Sequence, residues 1–154
     1  MALLLLLLLP VGLIASLSLI GYGFGTLGRV GLRRADRKVR LRALTALLGA
    51  AAAALYSWGL LHIAGAVLEA EDGGTDSSPL RPCRIPEERE RVLHVIDYTV
   101  NYVPLRFVCE TEEHGSYAAG SVPGYVNPGV LGLALSAAVC GAAARPPRGG
   151  VDPA

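Results

Sequence analysis

Three stretches of this chain carry almost no charge, and such a chain can fold only where their apolar surface is kept from water. No Asp, Glu, Lys, Arg or His occurs from Ala2 to Leu27 or from Val126 to Ala144, and His62 alone interrupts Ala43 to Leu68. A helix needs about 20 mostly apolar residues to cross about 30 Å of hydrocarbon. Leu3–Phe24 and Ala43–Leu68 reach that length, and 126–144 reaches it if Arg145 snorkels to the interface. Pro10 is tolerable in a membrane helix because neighbours re-satisfy the freed carbonyl. Tyr22 and Phe24 suit an interfacial belt. The expected fold class is therefore a mainly α membrane protein: three transmembrane helices with a small extracytoplasmic α+β module. The divisions expected are a first helix in 1–28, a basic cytoplasmic loop in 29–42 and a second helix in 43–68. An extracytoplasmic linker and module follow in 69–125, then a third helix in 126–144 and a cytoplasmic tail in 145–154.

The charges that remain are segregated, and this gives an orientation. Overall the chain is 18% charged with a formal net charge of +1, so no global field recruits nucleic acid. Locally, 29–42 sets Arg29, Arg33, Arg34, Arg37, Lys38, Arg40 and Arg42 against Asp36 alone, whereas 69–127 holds about twice as many acids as bases. Basic residues beside short loops mark the cytoplasmic side. That rule places the N-terminus and 69–125 outside, and the tail with Arg145 and Arg148 inside, in a plasma membrane. A cleaved signal peptide is the alternative for the first segment. It lacks a basic n-region, its apolar run is longer than usual, and the arginine cluster follows directly, so an uncleaved anchor is expected.

Within 69–125 the composition changes twice. Glu69 to Pro82 is a polar linker. Pro86 to Arg91 reads as a helix start, with proline at the first position and acids in the first turn. Tyr98, Val100 and Tyr102 then alternate with Asp97, Thr99 and Asn101, which is a strand period. Pro104 interrupts, Leu105, Phe107 and Cys109 resume the alternation, and Glu112–Gly115 is a turn signal before a returning strand at Ser116–Val122. A module this small needs a staple. Cys83 and Cys109 are the candidate disulfide, in a segment exposed to oxidation, with Cys140 left free in the third apolar stretch.

Val103-Pro-Leu-Arg-Phe-Val-Cys109, with Gly115-Ser-Tyr117 and Val122-Pro-Gly-Tyr-Val-Asn-Pro-Gly129, resembles a tract in uncharacterised small integral membrane proteins of actinobacteria. The resemblance covers about a quarter of the chain. It implies a bacterial plasma membrane and carries no activity. The dominance of arginine over lysine agrees with a GC-rich genome.

Motifs that would carry chemistry fail on context. Gly23 to Gly28 matches G-x-G-x-x-G but follows an apolar helix, not a strand, and enters an arginine cluster. Gly21-Tyr22-Gly23 lacks the re-entrant loop of a potassium filter. His94, Asp97 and His114 have no spacing that brings a third metal ligand, and no Ser-His-Asp or Cys-His pattern occurs. Catalytic, cofactor and metal sites are thus not expected. Small residues at spacing four, such as Gly21 and Gly25, Gly49 and Ala53, and Ala137 and Gly141, suit packing within the chain, with a homo-oligomer as the alternative. His62 is the candidate intramembrane polar residue. The expected function is a structural or interaction protein whose external module meets another envelope component through Tyr98, Tyr102 and Tyr117. The alternative is an accessory subunit of a transport or export complex. The bilayer is the other partner, and the basic cluster suits anionic headgroups.

Overall fold

The computed structural model describes residues 2–31, 35–72, 80–84, 92–112 and 115–145. Three helices dominate: α1 (Ala2–Val30), α2 (Arg37–Glu71) and α3 (Val126–Ala143). All three are long and apolar enough to cross a membrane. Between α2 and α3 lie a 3-10 turn at Arg81–Cys83 and three strands, β1 (Val95–Tyr102), β2 (Leu105–Thr111) and β3 (Ser116–Ala119). The expected helix start at Pro86–Arg91 falls outside the described residues.

α2 is the central element and packs against both α1 and α3. The helices approach closely where one of them lacks a side chain. A Cβ added at Gly23 would lie 2.9 Å from Leu47, and one at Gly129 would lie 2.7 Å from Leu55. The Ser16 hydroxyl donates to the Ala50 carbonyl at 3.1 Å, tying α1 to α2. Gly21 and Gly25 instead face open space, so that spacing-four pair takes no part in packing within the chain. The sides of α1 and α3 turned away from α2 are apolar and uncovered: Leu3 is 82% exposed, and Leu6, Ile14, Leu17, Leu131 and Val139 are also exposed.

α2 corrects the expected loop at 29–42. Its helix begins at Arg37, six residues before the apolar stretch, so Arg37, Lys38, Arg40 and Arg42 occupy its first turns. Arginine and lysine are good helix formers, and nothing in that stretch breaks a helix. At 35 residues, α2 is about 52 Å long, well beyond a hydrocarbon layer.

The strands form an antiparallel meander in the order β1-β2-β3. β1 and β2 turn directly through Val103-Pro104, a cis peptide, where the sequence shows only an interruption. The register aligns Tyr98 with Cys109 and Tyr117, Val100 with Phe107 and Ala119, and Tyr102 with Leu105. These residues make one continuous face. It packs on the part of α2 that includes Leu60, Ile63, Ala66, Val67 and Ala70, with Leu5 of α1 and Val126 of α3 in the same core. The sheet therefore has no separate core. The second apolar stretch, read as membrane-embedded to Leu68, serves as the floor of the sheet from about Tyr56 upward.

Candidate functional site

The sheet end of the bundle concentrates the polar contacts. Asn127 lies in the first turn of α3 and reaches β2 with both ends of its amide. The Leu105 N–H donates to Asn127 Oδ1 at 2.9 Å, and Asn127 Nδ2 donates to the Leu105 carbonyl at 3.1 Å. The side chain thus imitates a neighbouring strand. Leu105 itself is buried and enters a notch at Gly59 of α2, where an added Cβ would lie 2.5 Å from Leu105 Cδ2 and 2.8 Å from Val126 Cγ1. The Tyr56 hydroxyl donates to the Tyr102 carbonyl at 3.0 Å. Trp58 Nε1 donates to the Tyr125 hydroxyl at 3.3 Å across the α2–α3 boundary. None of these links was visible in the sequence. Asn127-Pro128 reads there only as a chain break, because the partner of Asn127 lies 22 positions away.

Cys83 and Cys109 are brought to disulfide distance, with Cα atoms 6.1 Å apart and both residues fully buried. Cys140 is free. The three tyrosines expected to form an exposed contact surface lie on the inner face of the sheet. Tyr117 is 8% exposed and donates its hydroxyl to the Cys83 carbonyl at 2.7 Å. Half-buried Tyr98 stacks on Phe107 with ring centroids 5.0 Å apart and donates to Glu71 Oε1 at 3.0 Å. Burial first, then the carboxylate of Glu71, raises its pKa above the ordinary phenol value. Tyr102 is also half-buried against the core. The reason is the alternation itself: Asp97, Thr99 and Asn101 take the solvent side, which leaves the tyrosines to face α2. That signal was present in the sequence.

What the sheet shows outward is different. Its far face carries Asp97, Asn101 and Arg106, together with Thr99 hydrogen-bonded to Glu110. Asp97 and Glu110 are cross-strand neighbours. Such like charges repel unless solvated or satisfied; Asp97 accepts from the Tyr98 N–H, and Glu110 from Thr99. At the start of β1, where its pairing with β2 is irregular, Leu93 is 76% and Ile96 61% exposed. At the opposite tip Val103 is 90% exposed.

His62 lies on α2 beside a groove of about 380 Å³ that Trp58, Gly65, Glu69, Pro82 and Ser121 help to line. Its ring meets Trp58 edge-on at 5.0 Å. Nε2 is buried and has no hydrogen-bond partner among the described residues. Among the described residues no three His, Cys, Asp or Glu side chains converge on a point. His114 lies outside the described residues.

The architecture is that of a three-helix bundle with helices of membrane-spanning length, capped at one end by a small antiparallel sheet. Family models, curated proteins and solved structures provide no match to the chain.

Proposed function

We propose that the chain is a multi-pass protein of a bacterial plasma membrane that acts as an interaction protein, with the sheet as a rigid platform for another envelope component. The observation that carries this is the seat of the sheet. Leu105 in the Gly59 notch, the Asn127 amide, the Tyr56 bond and the Cys83–Cys109 pair fix it to the helices rather than leave it on a linker. A platform so held presents a constant surface, which lowers the ordering cost of binding. The tyrosines are used internally, so the contact surface is assigned to the polar far face and the exposed Leu93 and Ile96 beside it. Their apolar area offers the buried centre that an interface needs, with Asp97 as polar rim.

The length of α3 supports a position for the bilayer. Its 18 residues span about 27 Å, close to one hydrocarbon thickness. The Trp58–Tyr125 pair then marks one interface, with the Val103 tip nearby, while Arg42 and Arg145 mark the other. The basic side is the cytoplasmic one, which puts the sheet and the N-terminus outside. The resemblance to small actinobacterial membrane proteins supports the same compartment. The alternative is an accessory subunit of a transport or export complex.

Two results are expected. On a Cys140→Ala background, Gly74→Cys should be labelled by an impermeant maleimide in intact cells, whereas Asp36→Cys should react only after lysis. Labelling of position 36 in intact cells would reverse the orientation. The second concerns the surface. Leu93→Asp with Ile96→Asp should abolish co-purification of the envelope partner in mild detergent while leaving membrane level and the disulfide intact. Undiminished co-purification would remove this surface from consideration.

A further inference from the structure

A groove of about 840 Å³ lies at the basic end, between α1 and α3 and floored by α2. It exists because the residues that could fill it are small. Ala46 and Gly49 on α2 and Ala138 and Gly141 on α3 leave the space between α1 and α3 open. Leu19 and Tyr22 of α1 complete the apolar wall. Two guanidinium groups, Arg42 and Arg145, line the same groove. Each is the first charged residue beyond its apolar stretch, and α2 and α3 run antiparallel, so both sit at one level of the bundle. Among the described residues neither makes an ion pair.

We propose that this groove binds one anionic phospholipid, with the phosphate held by Arg42 and Arg145 and an acyl chain laid along the small-residue wall. The inference rests on the membrane reading above and adds a ligand and a site to it. Arginine pairs with phosphate through a planar fork of donors, and a basic pocket between helices on the cytoplasmic side is suited to acidic headgroups. The depth selects a lipid over a free anion. Gly49 lies seven positions from Arg42, about 10 Å along the helix, so most of the groove is apolar and an inorganic phosphate would occupy only its mouth. A second copy of the chain is disfavoured by charge. Copies sharing one orientation would bring Arg29, Arg37, Lys38, Arg40 and Arg42 of one against the same cluster of the other, with no acid but Asp36 to offset them.

The test is native mass spectrometry of the full chain released from detergent with added phosphatidylglycerol or phosphatidylcholine. One phosphatidylglycerol should be retained per chain, and phosphatidylcholine should not. Arg42→Gln and Arg145→Gln should each lower retention about fivefold, and together about 25-fold. Ala138→Phe keeps both arginines but fills the groove, and it should also abolish retention. Excess inorganic phosphate should leave the lipid in place. Equal retention of both lipids, an unaffected double variant, or full displacement by phosphate would each overturn the proposal. A lipid-independent dimer broken by Ala138→Phe would also overturn it, by giving the groove to a second copy. Extraction of the chain from membranes by alkaline carbonate would instead refute the membrane reading, which separates the two failures.

Discussion

Asn127→Leu should loosen the seat of the sheet on the helices at a cost of about 1–3 kcal/mol. The substitution removes both hydrogen bonds between the Asn127 amide and the backbone of Leu105, a residue that is fully buried. Each lost hydrogen bond costs about 0.5–1.5 kcal/mol, and leucine offers neither donor nor acceptor. Asn127→Asp should lose about half as much, since the carboxylate still accepts from the Leu105 N–H but repels its carbonyl. Gly59→Leu should act on the same joint by a different route. Its side chain would occupy the space of Leu105 Cδ2 and Val126 Cγ1, which lie within 3 Å of where a Cβ would stand. Overpacking of this kind costs about 1–3 kcal/mol. Because both changes break one contact, the double variant should be less destabilised than the sum. Thermal unfolding of the full chain in mild detergent, with limited proteolysis between residues 92 and 122, reads both effects. Wild-type melting and protease resistance in Asn127→Leu would show that the sheet is held by something else.

Cys83→Ser or Cys109→Ser should destabilise the sheet end by about 2–4 kcal/mol, and the two together should be no worse than either alone. The closed loop has a sequence separation of 26. In the chain-entropy model a loop of that size restricts the unfolded chain by roughly 3.5 kcal/mol. Both sulfur positions are buried, so each serine also brings a hydroxyl into an apolar setting. The effect should be local. The 3-10 turn at Arg81–Cys83 should be released and the Tyr117 hydroxyl should lose its acceptor on Cys83. The sheet should remain on α2, because the joint of Leu105 with Asn127 and Gly59, and the Tyr56 bond, do not involve the disulfide. Cys140→Ser should be nearly silent. Non-reduced peptide mapping that finds Cys83 and Cys109 both as free thiols would end this account.

Much of the architecture is written in local pattern. A charge-free run of 20 residues or more has few ways to bury itself, so the three long helices follow from Ala2–Leu27, Ala43–Leu68 and Val126–Ala144 directly. The polar–apolar alternation at 97–102 and 105–110 likewise requires strands with one buried face, and the turn before Ser116 returns the chain to pair Cys109 with Tyr117. These signals are local, since periodicity and length act over a few neighbouring residues. The burial of Tyr98, Tyr102 and Tyr117 was also legible, because their polar alternates claim the solvent side. The same constraint turns these rings away from a recognition surface.

The tertiary structure decided how these pieces share space. A strand pattern states that one face is buried but not against what, and here the cover is the upper part of α2 rather than a core within the module. Gly59 is one small residue among many in α2, and only the arrival of Leu105, 46 positions later, makes it a notch. Asn127 is a turn residue by composition and a strand mimic by placement. The groove beside Arg42 and Arg145 depends on which faces α1 and α3 turn toward α2, and Ala-rich helices leave that choice open in sequence. Local composition fixes elements because its forces are short-ranged. The meeting of elements depends on complementary shapes far apart in the chain, and these exist only once the fold has formed.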